Sequence, residues 1–172
     1  IKLDPGTGET LAGVEYAWGI SSLAASPSAL WVAARRRARL QRVDLASGQV
    51  EKSIRVGNNR SEDIAYHDGA VWAASPEDNA VYRITTKTGD VIPISVGSRP
   101  RQLAIGGGRV YVTNYNSSTL SIIDEETSTV IGEPLSLPVN PFSLDLERGG
   151  DVLWVSSQPD NTVSRVVTGR GG

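Results

Sequence analysis

The 172-residue chain has no cysteine, no methionine, one histidine and one phenylalanine. Without cysteine there is no disulfide, no thiolate metal site and no cysteine nucleophile, and redox chemistry says nothing about compartment. A lone histidine cannot build a centre that needs several convergent imidazoles. No apolar run approaches the roughly 18 residues that a membrane-spanning helix needs, and no secretory leader is visible at Ile1. The formal net charge of -2 gives no bulk pull toward nucleic acid or an anionic bilayer. Because methionine is missing even at position 1, a processed chain or an excised piece of a longer one is expected, with any anchor or export signal outside it. No stretch carries sustained helical spacing, whereas 18 glycines and 9 prolines suit a turn-rich all-β chain.

What is present is a repeat. Four aromatic-centred runs, ALWVAA, AVWAAS, RVYVTN and VLWVSS, place Trp31, Trp72, Tyr111 and Trp154 at intervals of 41, 39 and 43 residues. Thirteen residues after each aromatic come Asp44, Thr85, Asp124 and Val167. Before these lie LQRV, VYRI, LSII and VSRV; a turn follows in three units, DLASG, TTKTG and DEETS. Each unit holds four short runs of alternating or β-branched character, separated by Gly, Asn, Asp, Ser and Pro. In the third unit these are RQLAI, RVYVT, TLSII and TVIGEPL, here strands a, b, c and d. Four antiparallel strands per unit of about 40 residues is the arithmetic of a β-propeller blade. The fold class expected is all-β: a propeller of four repeated four-stranded antiparallel blades in one domain over 1–172, with the b-strand aromatics in the core between blades.

RVYVTNYNSSTLSIIDEETSTVIGEPLSLPVNP resembles the YVTN-type propeller repeat, related to NHL and surface-layer propellers. The other units are looser versions of it, and the resemblance covers essentially the whole chain. It implies a fold and no single activity, since such repeats serve binding, scaffolding and enzymatic proteins. It also implies a bacterial, envelope-associated or secreted setting, with a cytoplasmic one left open.

The chain starts out of phase. IKLD and GTGET match strand c, its Asp turn and the start of d, whereas the C-terminal TVSRVVTGRGG stops after strand c. Residues 9 to 14 could complete the fourth blade. Three closures stay open: a compact four-blade ring, a fragment of a larger ring, and two arcs joined as a homodimer.

The remaining candidates divide into scaffold and site. Asp44 and Asp124, with Asp4 as their equivalent, recur at the repeat spacing and fit Asx-turns. SPEDN and QPDN lack the dense oxygen ligands of a calcium loop and fit b–c hairpin turns. Gly106, Gly107 and Gly108 lie between two strands, where a tight turn is expected rather than a phosphate cradle. His67 sits at an a–b turn. No catalytic residue, metal ligand or cofactor is assigned.

The departure from the repeat is AARRRARLQR. Other b–c turns are polar or acidic; this one carries Arg35, Arg36, Arg37 and Arg39. In a propeller the b–c and d–a turns share a face, and the d–a turns supply Arg60, Arg99 and Arg101. A basic rim is therefore expected, suited to planar anions such as carboxylate, sulfate or phosphate; it lacks the aromatic interleaving of a single-strand nucleic-acid surface. At one equivalent position the units carry Ser21, Glu62, Arg101 and Phe142. With Arg60, Arg99 and Asn140 these mark the axial mouth as the place for a ligand. The function expected is a non-enzymatic interaction or sensor module for a protein, peptide or glycan partner. The alternatives are a lyase-type propeller enzyme using Glu62 and Arg101, and a self-assembling structural repeat.

Overall fold

The computed structural model describes residues 2–3, 6–7, 10–12, 19–148, 150 and 152–168. Every regular element among them is a strand, so no helix there could cross a membrane. The first sheet is β3 (Ile20–Ala25), β4 (Ala29–Ala34), β5 (Arg39–Asp44) and β6 (Val50–Arg55). The second is β7 (Asp63–His67), β8 (Ala70–Ser75), β9 (Ala80–Thr85) and β10 (Val91–Ser95). The third runs β11 (Pro100–Gly106), β12 (Arg109–Asn114) and β13 (Thr119–Asp124), then an edge split into β14 (Thr129–Val130) and β15 (Leu135–Ser136). The fourth has only β16 (Pro141–Leu146), β17 (Val152–Ser157) and β18 (Thr162–Val167). All neighbours pair antiparallel in chain order, so each sheet is a meander of the expected a–b–c–d runs.

Sequence explains the gradient across each sheet. The b strands of the first three sheets are buried on both faces; in the second, all six residues of AVWAAS are buried. The d strands lie at the edge, and in VEKSIR only Ile54 is buried. In the third unit Gly132, at a φ of +61°, and Pro134 interrupt the d strand and divide it between β14 and β15. The c–d turns form as the aspartates dictate: Asp44 Oδ1 accepts the Ala46 and Ser47 N–H groups, and Asp124 Oδ1 accepts that of Thr127. Those bonds hold both carboxyls below their ordinary range. The Asp4 turn lies outside the described residues. Gly107 and Gly108 have φ of +62° and +73°, the left-handed turn their spacing calls for.

Sheets stack in order through their first strands, β3 on β7, β7 on β11 and β11 on β16. Each junction encloses an apolar cluster built the same way. Trp31 packs with Ile64 and Val71, Trp72 with Leu103 and Val110, Tyr111 with Leu144 and Leu153. Trp31, Trp72 and Tyr111 are fully buried.

Two expectations are corrected. Trp154 is 40% exposed, because no sheet follows the fourth among the described residues to cover it. Thr10–Ala12 (β2) does not complete the fourth sheet; it pairs with Lys2–Leu3 (β1) in a separate hairpin, the c and d runs finding each other locally. The fourth sheet thus keeps three strands rather than four, and no contact comparable to the other three joins β16 back to β3.

Candidate functional site

The inner rim is made by two adjacent residues at or near the start of each a strand, 21–22, 62–63, 101–102 and 142–143. At the second of these positions stand Ser22, Asp63, Gln102 and Ser143, and three of them clasp the next sheet. The Ile64 N–H donates to Ser22 Oγ at 3.2 Å, the Leu103 N–H to Asp63 Oδ2 at 3.0 Å, and the Leu144 N–H to Gln102 Oε1 at 2.9 Å. Ser22 also donates to Asp63 Oδ1 at 2.8 Å. Burial pushes the Asp63 carboxyl up, against the pull of the amides of Leu103 and Ile64 and the Ser22 hydroxyl. Asp63 therefore joins three sheets through one carboxylate.

Beside these clasps, Glu62, Asp63, Arg101, Gln102, Phe142 and Ser143 line a cleft of about 230 Å³. The Arg101 guanidinium lies over the Phe142 ring, 3.7 Å from its centroid, and 5.5 Å from that of Tyr115. Such stacking orients the fork while leaving its edge N–H groups for an acceptor. Glu62 Oε1 is 4.0 Å from Arg101 and its Oε2 3.1 Å from Arg60. Arg60 also reaches Glu77 at 3.4 Å. Its charge is thereby shared between two carboxylates.

A second cleft, of about 250 Å³, is lined by Arg35, Arg36, Arg37, Asn58, Asn59 and Arg60, with Ala38 and Glu77. The b–c turn of the first sheet and the d–a turn before the second meet here, on one face as expected. The geometry of this face comes from a recurrent bond: a b–c turn side chain accepts an N–H of the d–a turn leading into its own sheet. Asp78 takes the Asn58 N–H, Ser117 that of Ser98 and Asp160 that of Val139. Asp78 also accepts the Asn59 amide and the Ser75 and Tyr82 hydroxyls. Burial alone would raise it, but these bonds together hold its carboxyl below the ordinary range, and burial with the Asp78 charge pushes the Tyr82 phenol up to about 12. Arg37 occupies the position of Asp78, Ser117 and Asp160. The first unit therefore puts a cation where the others put an acceptor, and Arg35, Arg36 and Arg37 are all exposed.

The structure thus brings Glu62, Arg101 and Phe142 together in one cleft and Arg35, Arg36, Arg37 and Arg60 in its neighbour. Arg99 and Asn140 line neither. Both sit in d–a turns at positive φ, +58° and +54°, and their N–H groups donate to Asn79 and Ser118. Asn140 is a residue that tolerates this conformation; Arg99 is strained in it. Ser21 donates to the Ser61 carbonyl at 2.6 Å and serves the first junction instead of a ligand. Sequence reasoning missed Asp63, Gln102, Ser143 and Tyr115. The signal was available: 22, 63, 102 and 143 are polar in every unit, each just before an apolar a-strand residue. On the opposite face His67 Nδ1 lies 2.6 Å from Glu125 Oε1, bridging the second and third sheets. No group of three or more metal-ligating side chains occurs among the described residues.

The fold is shared with solved structures. The computationally designed Ika4 protein matches 94% of this chain and 99% of its own at a TM-score of 0.80, with 18% identity. The Kuenenia stuttgartiensis hydrazine synthase matches 86% of this chain at a TM-score of 0.75 and 18% identity, and the designed Ika8 protein 86% at 0.73 and 17%. The chain spans only 44% and 45% of the lengths of these two. No curated protein matches. The model of the DUF6923 repeat, a repeat of unknown function, matches residues 4–131. The chain therefore belongs to the DUF6923 repeat family.

Proposed function

We propose that the chain is a β-propeller arc that acts as a non-enzymatic binding module, taking an anionic group of a protein, peptide or glycan partner on its b–c face. The single observation that carries this reading is the cleft where Arg35, Arg36 and Arg37 meet Arg60. Arg60 is largely neutralised by Glu62 and Glu77. The exposed Arg35 and Arg36 face the same cleft, with Asn58 and Asn59 as neutral donors beside them. A carboxylate or sulfate bound there would accept charge-assisted bonds from more than one fork. The axial cleft is the secondary contact, its Arg101 oriented by Phe142. Glu62 is engaged by two arginines, which argues against its use as the base of a lyase. A wider kinship with YVTN-type propellers, and an envelope or secreted setting, belong to the same reading.

The test uses two probes of stated chemistry, an oligo-aspartate peptide and a sulfated disaccharide, titrated by calorimetry at several salt concentrations. Affinity is expected to fall as salt rises. Replacing Arg35, Arg36 and Arg37 together by Ser is expected to abolish binding with little change in melting temperature. Unchanged binding, or a large loss of stability, removes the site.

A further inference from the structure

The arc has two unlike ends, and each is one half of the interface that the chain uses three times internally. On the outgoing side of the fourth sheet Trp154 and Val163 are 40% and 66% exposed. Their equivalents Trp31, Trp72 and Tyr111, and Leu40, Val81 and Leu120, are all essentially fully buried against the next sheet. On the incoming side of the first sheet Leu23 is 51% exposed, whereas Ile64, Leu103 and Leu144 at the same position are buried by the preceding sheet; Val32, Ala34 and Val43 on that face are buried already, so its open part is the inner edge at Leu23.

Polar groups repeat the asymmetry. Ser143 stands where Ser22, Asp63 and Gln102 accept an amide from the following sheet, and no such amide reaches it among the described residues. The amide that corresponds to Ile64, Leu103 and Leu144 N–H is that of Leu23. The donor and the acceptor of a fourth clasp are thus both present, at opposite ends of the molecule. Asp145 replaces the alanines at 24, 65 and 104, of which Ala24 is buried and Ala65 and Ala104 are partly buried in closed junctions.

We propose that two copies of this chain close head to tail, the Trp154–Val163 face of each covering the Leu23 face of the other. The surface is continuous with the established junctions, and the two junctions are related by a two-fold axis, so the assembly closes rather than growing. Closure also completes the axial mouth, since the residues that line it from Glu62 to Ser143 form only one wall. The inference stands on the sheet junctions and is independent of the arginine cleft.

Light scattering on the chain is expected to give twice its mass. Trp154→Arg, Val163→Lys and Leu23→Asp are each expected to give the single mass with unchanged circular dichroism; Val163 is so exposed that its variant tests the contact even where the others fail to fold. In a chain without cysteine, Ser143→Cys combined with Leu23→Cys is expected to yield a two-copy product with a short bis-maleimide. A parent of single mass at all concentrations assigns the faces to other segments and overturns the proposal. An open ladder of larger multiples, a cross-link within one copy, or a dimer indifferent to all three substitutions overturns it equally.

Discussion

Trp72 and Trp154 occupy the same place in their sheets and lead different lives. Trp72 lies in the junction between the second and third sheets, fully buried, with the Arg83 guanidinium 5.8 Å from its ring centroid and its indole N–H unpartnered. Trp154 faces outward, and its indole N–H donates to Glu147 at 2.8 Å. The side chain is the same and the backbone pairing is the same, b strand to c strand across an arginine. The difference lies wholly in whether a further sheet follows. Burial in this fold is a property of the neighbour and not of the strand that carries the residue, as expected where each unit contacts only the next.

That contrast can be broken in graded ways. Trp72→Ala should cost about 3–5 kcal/mol in a denaturant melt, through lost transfer and a residual cavity. Trp154→Ala, measured on the single-mass species, should cost no more than about 1 kcal/mol. Equal costs would mean that the fourth sheet is covered after all. Leu103→Ala should cost about 2–5 kcal/mol, and Leu23→Ala at the exposed end about 0.5 kcal/mol.

Smaller effects sharpen the comparison of turns. Asp78→Ala removes the acceptor shared by the Asn58 N–H, the Asn59 amide and the Ser75 and Tyr82 hydroxyls, and should cost about 1–3 kcal/mol. Asp160→Ala, with a single such bond to Val139, should cost less by the same melt. The smallest differences are in pH dependence. Asp44 and Asp124 have depressed carboxyls, so their contribution is complete above about pH 4 and is lost as pH falls through their folded values. Asp63 is raised, and the sign reverses: stability falls as pH rises from about 4 to its folded value, because burial penalises the charge. Asp124→Asn should flatten the acid limb of a stability–pH profile, and Asp63→Asn should steepen it.

Much of the fold was legible because repetition multiplies weak signals. One run such as RVYVTN names a strand and nothing more. Four such runs, each followed thirteen residues later by the same turn position, fix strand order, pairing and the shared face of the b–c turns. The convergence of Arg60 with Arg35, Arg36 and Arg37 follows from that topology. Less was legible where tertiary partners decide. The exposure of Trp154 depends on a neighbour that no local pattern announces. The separation of Arg99 and Asn140 from the clefts depends on left-handed turns at those residues, and the residue type advertised this for Asn140 but not for Arg99. The clasps of Ser22, Asp63 and Gln102 were hidden because their chemistry differs while their geometry repeats: a hydroxyl, a carboxylate and an amide all present one oxygen to the same N–H.

Interchangeable oxygens at those three positions have a consequence for how such a molecule changes over generations. A seam that asks only for any acceptor opposite an invariant main-chain donor does not record which repeat it joins. Whole repeats can be duplicated or deleted without redesign of the joints on either side, and the length of the array is free to drift while each joint keeps its strength.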